Sequence, residues 1–292
     1  MIKHLIIGGC SFSTDSQDNW PYHLFLYLRR KNNIHLTMEN ISYPSQGQDR
    51  IQKKLTRSII FALKKYKPED ILVCVMWSGL GRRCWYVDNP LFINEIIEKS
   101  VNTKGSTYFD QLTNLENDYN DGKKITVVNR EGLKFNTAMQ GGWVHTKSAG
   151  QVPFDFLLSE FCLNQTTPGE SLIHYNLEHI IALQNFCSSK GIPLLHQFYM
   201  DNVYQDILKY KDYQIVKYLY KQLNLDRCIT KGMFEYLNEI AGIDPNLGFP
   251  DRHNLEVGRE YFIDGFHPSS KSSKIWVDDQ LIPLLKNQGI VS

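Results

Sequence analysis

The sequence predicts an α/β protein: a three-layer α/β/α arrangement on a central parallel sheet, with an insertion. Three observations predict it. Short apolar runs at residues 4–7, 71–77 and 192–199 read as buried strands, the first leading into a polar cluster, and residues 36–42 read as a further strand. Stretches with helical spacing alternate with those runs, and a β-α-β-α-β order calls for crossover helices over a parallel sheet. The rhythm breaks between about residues 84 and 170 and then resumes.

Residues 4–7 form a first strand that enters a loop at Gly8-Gly9. Residues 19–30 then carry Trp20, Leu24, Tyr27 and Leu28 at helical spacing, with Pro21 near the start. The run 36–42 reads as a second strand. An amphipathic helix over 49–65 sets Ile51, Leu55, Ile59, Ile60 and Leu63 on one face. The strand at 71–77 has the strongest signal of all. Later, a helix over 172–189 turns Leu177, Ile180, Ile181, Leu183 and Phe186 inward, and Gly191 ends it before the strand at 192–199. A helix over 271–285 closes the chain. The insertion holds a hairpin, 124–128 against 133–136, around Asn129-Arg130-Glu131-Gly132. It is expected to cap one end of the sheet within a single domain of residues 1–292. Residues 204–259 are expected to be irregular around a Tyr-rich helix over 210–223. The sequence contains no internal repeat and no low-complexity tract.

In a chain of 292 residues, 42% hydrophobic and 22% charged residues describe a globular protein able to bury a sizeable core. The 32 basic and 31 acidic residues leave a net charge of +1, which gives no reason to expect nucleic acid or an anionic membrane as partner. The amino terminus has too short an apolar run for a signal peptide, and no stretch is long enough for a spanning helix. A cytoplasmic protein is expected, or a virion component if the gene belongs to a phage, since the Asn/Lys/Ile/Tyr-rich composition fits an AT-rich bacterial or viral genome. The cysteines at 10, 74, 84, 162, 187 and 228 show no CxxC spacing and read as reduced thiols. His145, His174, His179, His196 and His253 show no metal spacing either. No metal and no cofactor are expected.

In a doubly wound sheet, ligands bind beyond the carboxyl ends of the strands. Four polar clusters fall at or near such ends: Gly9-Cys10-Ser11-Phe12-Ser13, Pro44-Ser45-Gln46-Gly47-Gln48-Asp49, Trp77-Ser78-Gly79-Leu80, and, just before the last helix, Asp264-Gly265-Phe266-His267-Pro268. Taken singly, each has an ordinary structural reading. Ser11 could cap a turn, Gly47 could serve a tight turn with positive φ, Ser78 could cap the segment after it, and Asp and Pro both suit turns.

Taken together and in order, the four clusters resemble the four blocks of the SGNH/GDSL hydrolase family. The resemblance covers residues 4–83 and 172–286 and implies a flavodoxin-like fold. It implies Ser11 as nucleophile, His267 as its base and Asp264 as the group that orients the histidine. It further implies an oxyanion hole from the N–H groups of Ser11 and Gly47 with Ser78 in the third position. Two residues depart from the family's pattern: Cys10 replaces the aspartate of Gly-Asp-Ser, and Ser78 replaces the asparagine of block three. Gln46 or Arg82 is a candidate to complete the hole. In the insertion, Trp85, Tyr86, Tyr108, Phe109 and Trp143 are either a sugar-stacking platform or its own small core. Arg82 and Trp143 are the expected substrate contacts, with Arg82 and Arg83 otherwise a solvated pair. The activity implied is ester hydrolysis, with a carbohydrate O-acetyl ester or another small-molecule ester as substrate. Two alternatives stand beside it: an inactive SGNH-like structural or glycan-binding protein, favoured by Ser78, and an O-acyltransferase using the same triad.

Overall fold

Strands of a parallel sheet covered by helices on both faces are buried on both sides and read as continuous apolar runs. Three such runs make the middle of the sheet in this protein. The computed structural model describes residues 1–14, 19–31, 35–43, 46–80, 82, 84–87, 124–128, 134–138, 142–145, 169–244 and 246–291, with only the backbone of the strands between 84 and 145. In chain order, β1 (His4–Gly8), α1 (Trp20–Lys31), β2 (Thr37–Asn40), α2 (Gln48–Ala62) and β3 (Ile71–Trp77) come first. Next are β4 (Cys84–Val87), β5 (Lys124–Val128), β6 (Lys134–Ala138) and β7 (Gly142–His145). Then follow α3 (Glu170–Lys190), β8 (Leu194–Phe198), α4 (Asp201–Tyr210), α5 (Gln214–Tyr220) and β9 (Cys228–Gly232). The chain closes with α6 (Met233–Ala241), α7 (Phe249–Asn254), α8 (Glu256–Tyr261), α9 (Ser270–Trp276) and α10 (Ile282–Asn287).

The main sheet has five strands in the order β2-β1-β3-β8-β9, all parallel. Helices flank it, giving the expected three-layer α/β/α architecture. The strand order reverses between β1 and β3, so the topological switch point lies beside the end of β1, where such sheets bind ligands. Every residue of β1, β3 and β8 is buried, whereas the edge strand β2 alternates between exposed and half-buried positions.

The chain divides into two compact units, Met1–Leu80 with Ile173–Ser292, and Gly81–Leu172. The second unit contains the expected insertion. Within it β5 pairs antiparallel with β6, matching the predicted hairpin, and β4 pairs antiparallel with β7. Residues 129–132, the expected hairpin turn, lie outside the described residues.

Four expectations need correction. The Tyr-rich helix expected over 210–223 is the shorter α5, because a separate helix, α4, buries Val203, Tyr204 and Ile207 and ends at Tyr210. A turn with Tyr213 N–H donating to Tyr210 C=O at 3.0 Å then separates it from α5. The supposedly irregular segment also supplies β9, an edge strand whose half-buried Cys-Ile-Thr-Lys-Gly sequence lacks the apolar run that marks the central strands. The closing helix is interrupted by a π-turn at Val277–Leu281, just before Pro283. A proline lacks the N–H that an α-helix requires there, and the wider turn accommodates the loss. Finally, Ile60 is exposed on α2, whose buried apolar stripe is Ile51, Leu55, Ile59 and Ala62. Ile60 is one residue, about 100°, beyond Ile59, too far round for the same narrow stripe.

Two polar side chains on β8 are buried in this core, and each accepts a hydrogen bond from a tryptophan. Trp77 Nε1 donates to His196 Nδ1 at 3.0 Å, and Trp276 Nε1 donates to Gln197 Oε1 at 2.7 Å. Adjacent strand residues point to opposite faces, so one tryptophan bond anchors each side of the sheet.

Burial, reinforced by the charge of Arg227, pushes the His196 imidazole down to about 3, so the ring is neutral in the folded protein. The unfolded chain therefore binds a proton below about 6.5 that the folded chain refuses. The contribution of His196 is complete above that value and is lost progressively as the pH falls toward about 3. Urea unfolding from about pH 6 to about pH 4 should show wild type losing about 1.4 kcal/mol per pH unit more than His196→Gln, which keeps an acceptor for Trp77. Parallel pH dependences would contradict this.

Candidate active site

The first polar cluster is shaped by close packing at the end of β1. A Cβ on Gly9 would stand 2.5 Å from Ser13 Oγ and 3.1 Å from the Met76 carbonyl, so the chain passes there only as glycine. A 3₁₀ turn at Ser11–Ser13 follows, held at its far end by the buried Ser13. Ser13 N–H donates to Cys10 C=O at 2.9 Å, its Oγ accepts from Trp20 Nε1 at 3.0 Å, and its carbonyl accepts from Asn40 Nδ2 at 2.8 Å. Cys10 and Phe12 point into the core and leave Ser11 half-buried at its rim.

The fourth cluster is a turn built by its own aspartate. Asp264 Oδ1 accepts from Phe266 N–H at 2.9 Å and from His267 N–H at 2.7 Å. Gly265, between Asp264 and Phe266, has φ 80°, a left-handed conformation that favours glycine. The turn is closed by Ile263 N–H donating to His267 C=O at 2.9 Å. This fixes the histidine backbone and leaves Asp264 Oδ2 for the ring, where His267 Nδ1 lies at 2.6 Å. Burial disfavours the Asp264 carboxylate, but the hydrogen bonds from the His267 ring and the two N–H groups outweigh it and hold the carboxyl below its ordinary value of 3.8. Its stabilising effect is therefore present above that range and is lost as pH falls through the lower folded value.

The two clusters meet. His267 Nε2 lies 2.9 Å from Ser11 Oγ, across a sequence separation of 256 residues. Phe12 packs against both Phe266 and His267, with ring centroids 5.0 and 5.3 Å away, so the apolar neighbour of Ser11 supports the histidine loop. With Nδ1–H donated to the carboxylate, the lone pair on Nε2 faces the serine hydroxyl. That arrangement can take the proton from Ser11 as its oxygen attacks an electrophile.

The second and third clusters join the same array. Gln46 Nε2 donates to the carbonyls of Gly9 at 2.9 Å and Ile41 at 3.4 Å, and Gln48 Nε2 donates to the Ser78 carbonyl at 2.6 Å. Two expectations change as a result. The Gln46 amide is engaged with backbone, so it does not complete an oxyanion hole. Gly47 has φ −85° and ψ 168°, ordinary extended backbone at the N-cap of α2, which replaces the positive-φ turn. Ser78 is fully buried at the end of β3. Behind them the buried Asp49 accepts from Tyr175 Oη at 3.1 Å, and Asn176 Nδ2 donates to the Leu80 carbonyl at 3.0 Å. These bonds tie the start of α3 to the start of α2 and to the end of β3.

The remaining candidates belong to the second unit, and the Ser11–His267–Asp264 array is built without them. Arg82 is half-buried there, and Trp143 stands in β7 in register with Tyr86 of β4. The side chains of Trp85, Tyr86 and Trp143, and residues Arg83, Tyr108 and Phe109, lie outside the described residues, as do Pro44 and Ser45. Among the described residues, no three His, Cys, Asp or Glu side chains are grouped as metal ligands would be, and no helix is long and apolar enough to cross a membrane. Sequence reasoning missed Asn40 and gave Gln48 no role beyond membership of the second cluster, yet their amides hold the Ser13 and Ser78 carbonyls. Their only signal is an amide residue at the end of β2 and at the start of α2.

Fold and site together define a doubly wound α/β protein with a Ser-His-Asp hydrogen-bonded chain at the switch point of its sheet. No family model matches the chain, and neither does any curated protein. Among solved structures it is similar to the Bacillus subtilis protein YxiM, at 12% identity and a TM-score of 0.46. The similarity covers 99% of this chain and 58% of that one, so the chain spans little more than half the length of that protein.

The histidine turn depends on its glycine. Gly265→Ala should lower stability by about 1–2 kcal/mol, the cost of a left-handed residue with a side chain, measured as a shift in urea midpoint. An unchanged midpoint would mean that the turn relaxes to negative φ without loss.

Proposed function

We propose that this protein is a serine-dependent ester hydrolase of the SGNH/GDSL type, acting on an acylated carbohydrate or another small acyl ester. The observation that carries the proposal is the unbroken hydrogen-bonded sequence Asp264 Oδ2, His267 Nδ1, His267 Nε2, Ser11 Oγ, with separations of 2.6 and 2.9 Å. The reaction follows from its chemistry. Ser11 Oγ attacks the ester carbonyl carbon while His267 Nε2 takes the hydroxyl proton. The tetrahedral intermediate collapses, the C–O bond to the alcohol breaks, and the imidazolium returns the proton to the departing alkoxide. Water then repeats the sequence against the acyl-serine, giving the free acid and restoring the hydroxyl. Asp264 remains ionised throughout and favours the imidazolium that forms transiently. In this reading the N–H groups of Ser11 and Gly47, with Ser78, meet the oxyanion.

The replacement of a block-three asparagine by Ser78 favours a second reading, a binding module that keeps the scaffold without turnover. Turnover of p-nitrophenyl acetate separates the two. Wild type should release p-nitrophenol, Ser11→Ala and His267→Ala should lose at least about 10³-fold in kcat, and Asp264→Asn about 10⁴-fold through the wrong histidine tautomer. Wild-type turnover that Ser11→Ala leaves intact, or no turnover of any acyl ester by wild type, would refute the hydrolase.

A further inference from the structure

The histidine turn is held from inside the protein as well as by its own aspartate. Its outer side is open: Ile263 is 62% exposed, and the Asp264 side chain is 51% exposed. Packing on that side therefore contributes little to fixing it. On the inner side stands Arg252 of α7, with no exposed surface at all. Its Nη1 donates to the Gly265 carbonyl at 2.8 Å and its Nη2 to the Leu247 carbonyl at 2.9 Å. The guanidinium lies over the rings of Phe234 and Phe262, at 4.7 and 5.7 Å from their centroids. Phe234 also packs on Phe266, with ring centroids 5.1 Å apart.

A buried guanidinium is costly unless its donors are used. Here a planar fork fixes two backbone carbonyls and two aromatic faces fix its plane. The carbonyl that it holds belongs to Gly265, the residue between Asp264 and Phe266 in the turn. A fork of this kind cannot be replaced by the single ammonium of lysine.

We propose that Arg252 is a positioning residue: it pins the Gly265 carbonyl and thereby sets the distance from His267 Nε2 to Ser11. It touches no substrate and acts through the turn. The inference rests on the proposed serine chemistry for its kinetic consequence, but its structural part can be read without turnover.

The test compares wild type with Arg252→Gln and Arg252→Lys. Circular dichroism establishes folding, and the low-field proton resonance of His267 Nδ1–H reports the Asp264–His267 bond. Rates of Ser11 labelling by a fluorophosphonate, with kcat and KM for p-nitrophenyl acetate, report the reach to Ser11. Folded Arg252→Gln should show a shifted or broadened resonance and a fall of about 10²-fold in labelling rate and kcat, as expected for a reacting group displaced by about 1 Å. KM should stay within about twofold, because the lost interaction acts on the transition state. Arg252→Lys should fall between the two, and Arg252→Ala should regain rate in millimolar guanidinium. A folded variant with the wild-type resonance and rate would overturn the proposal. If Arg252→Gln does not fold, full rate and an unmoved resonance in Arg252→Lys would overturn it equally. Should wild type itself neither turn over nor label, the hydrolase reading fails, and the resonance in Arg252→Gln alone decides whether Arg252 holds the turn.

Discussion

One carboxylate organises the carboxyl-terminal side of the site. Asp264 accepts three hydrogen bonds, from Phe266 N–H, His267 N–H and the His267 ring, so the same group folds the turn and orients the imidazole. Oδ1 takes the two backbone N–H groups and Oδ2 the ring, so the carboxylate that fixes the turn also faces the imidazole. Ser11 is useful only relative to that ring, and its own position depends on Gly9, Ser13 and Trp20 at the end of β1. The 2.9 Å contact between Ser11 and His267 is thus the meeting of two separately built loops.

What brings the loops together is the parallel sheet. A strand order that reverses between β1 and β3 leaves a crevice at their carboxyl ends, and the loops after β1, β2 and β3 converge there. Side-chain amides fill the space between them: Gln46 on the Gly9 carbonyl, Gln48 on the Ser78 carbonyl, and Asn40 on the Ser13 carbonyl. Irregular backbone that is buried must have its carbonyls satisfied, and amides do so without introducing charge. Deeper in the sheet, Trp77 and Trp276 each donate one hydrogen bond, to His196 Nδ1 and Gln197 Oε1.

Much of this is legible in the sequence because the central strands are continuous apolar runs. Residues 71–77 are predicted without error, and the helices over 19–30, 49–65 and 172–189 agree with α1, α2 and α3 to within three residues at each end. Ser11, Asp264 and His267 are legible as candidates because they follow a strand or precede the closing helix in short Gly-containing turns. The strand β9 is not legible, since an edge strand of Cys-Ile-Thr-Lys-Gly shows neither a full apolar run nor clear alternation. The engagement of Gln46 with backbone and the inward position of Arg252 are not legible either. Both depend on which carbonyls tertiary folding leaves facing inward, and no local pattern encodes that.

The most direct test of the central claim is to locate the nucleophile chemically. Wild-type protein treated with a fluorophosphonate is analysed by intact mass and then by peptide mapping. The account predicts one adduct per chain, on Ser11, because the His267 imidazole, held by Asp264, is poised to take the proton of that hydroxyl. No adduct, or one shared among several serines at similar slow rates, would contradict it.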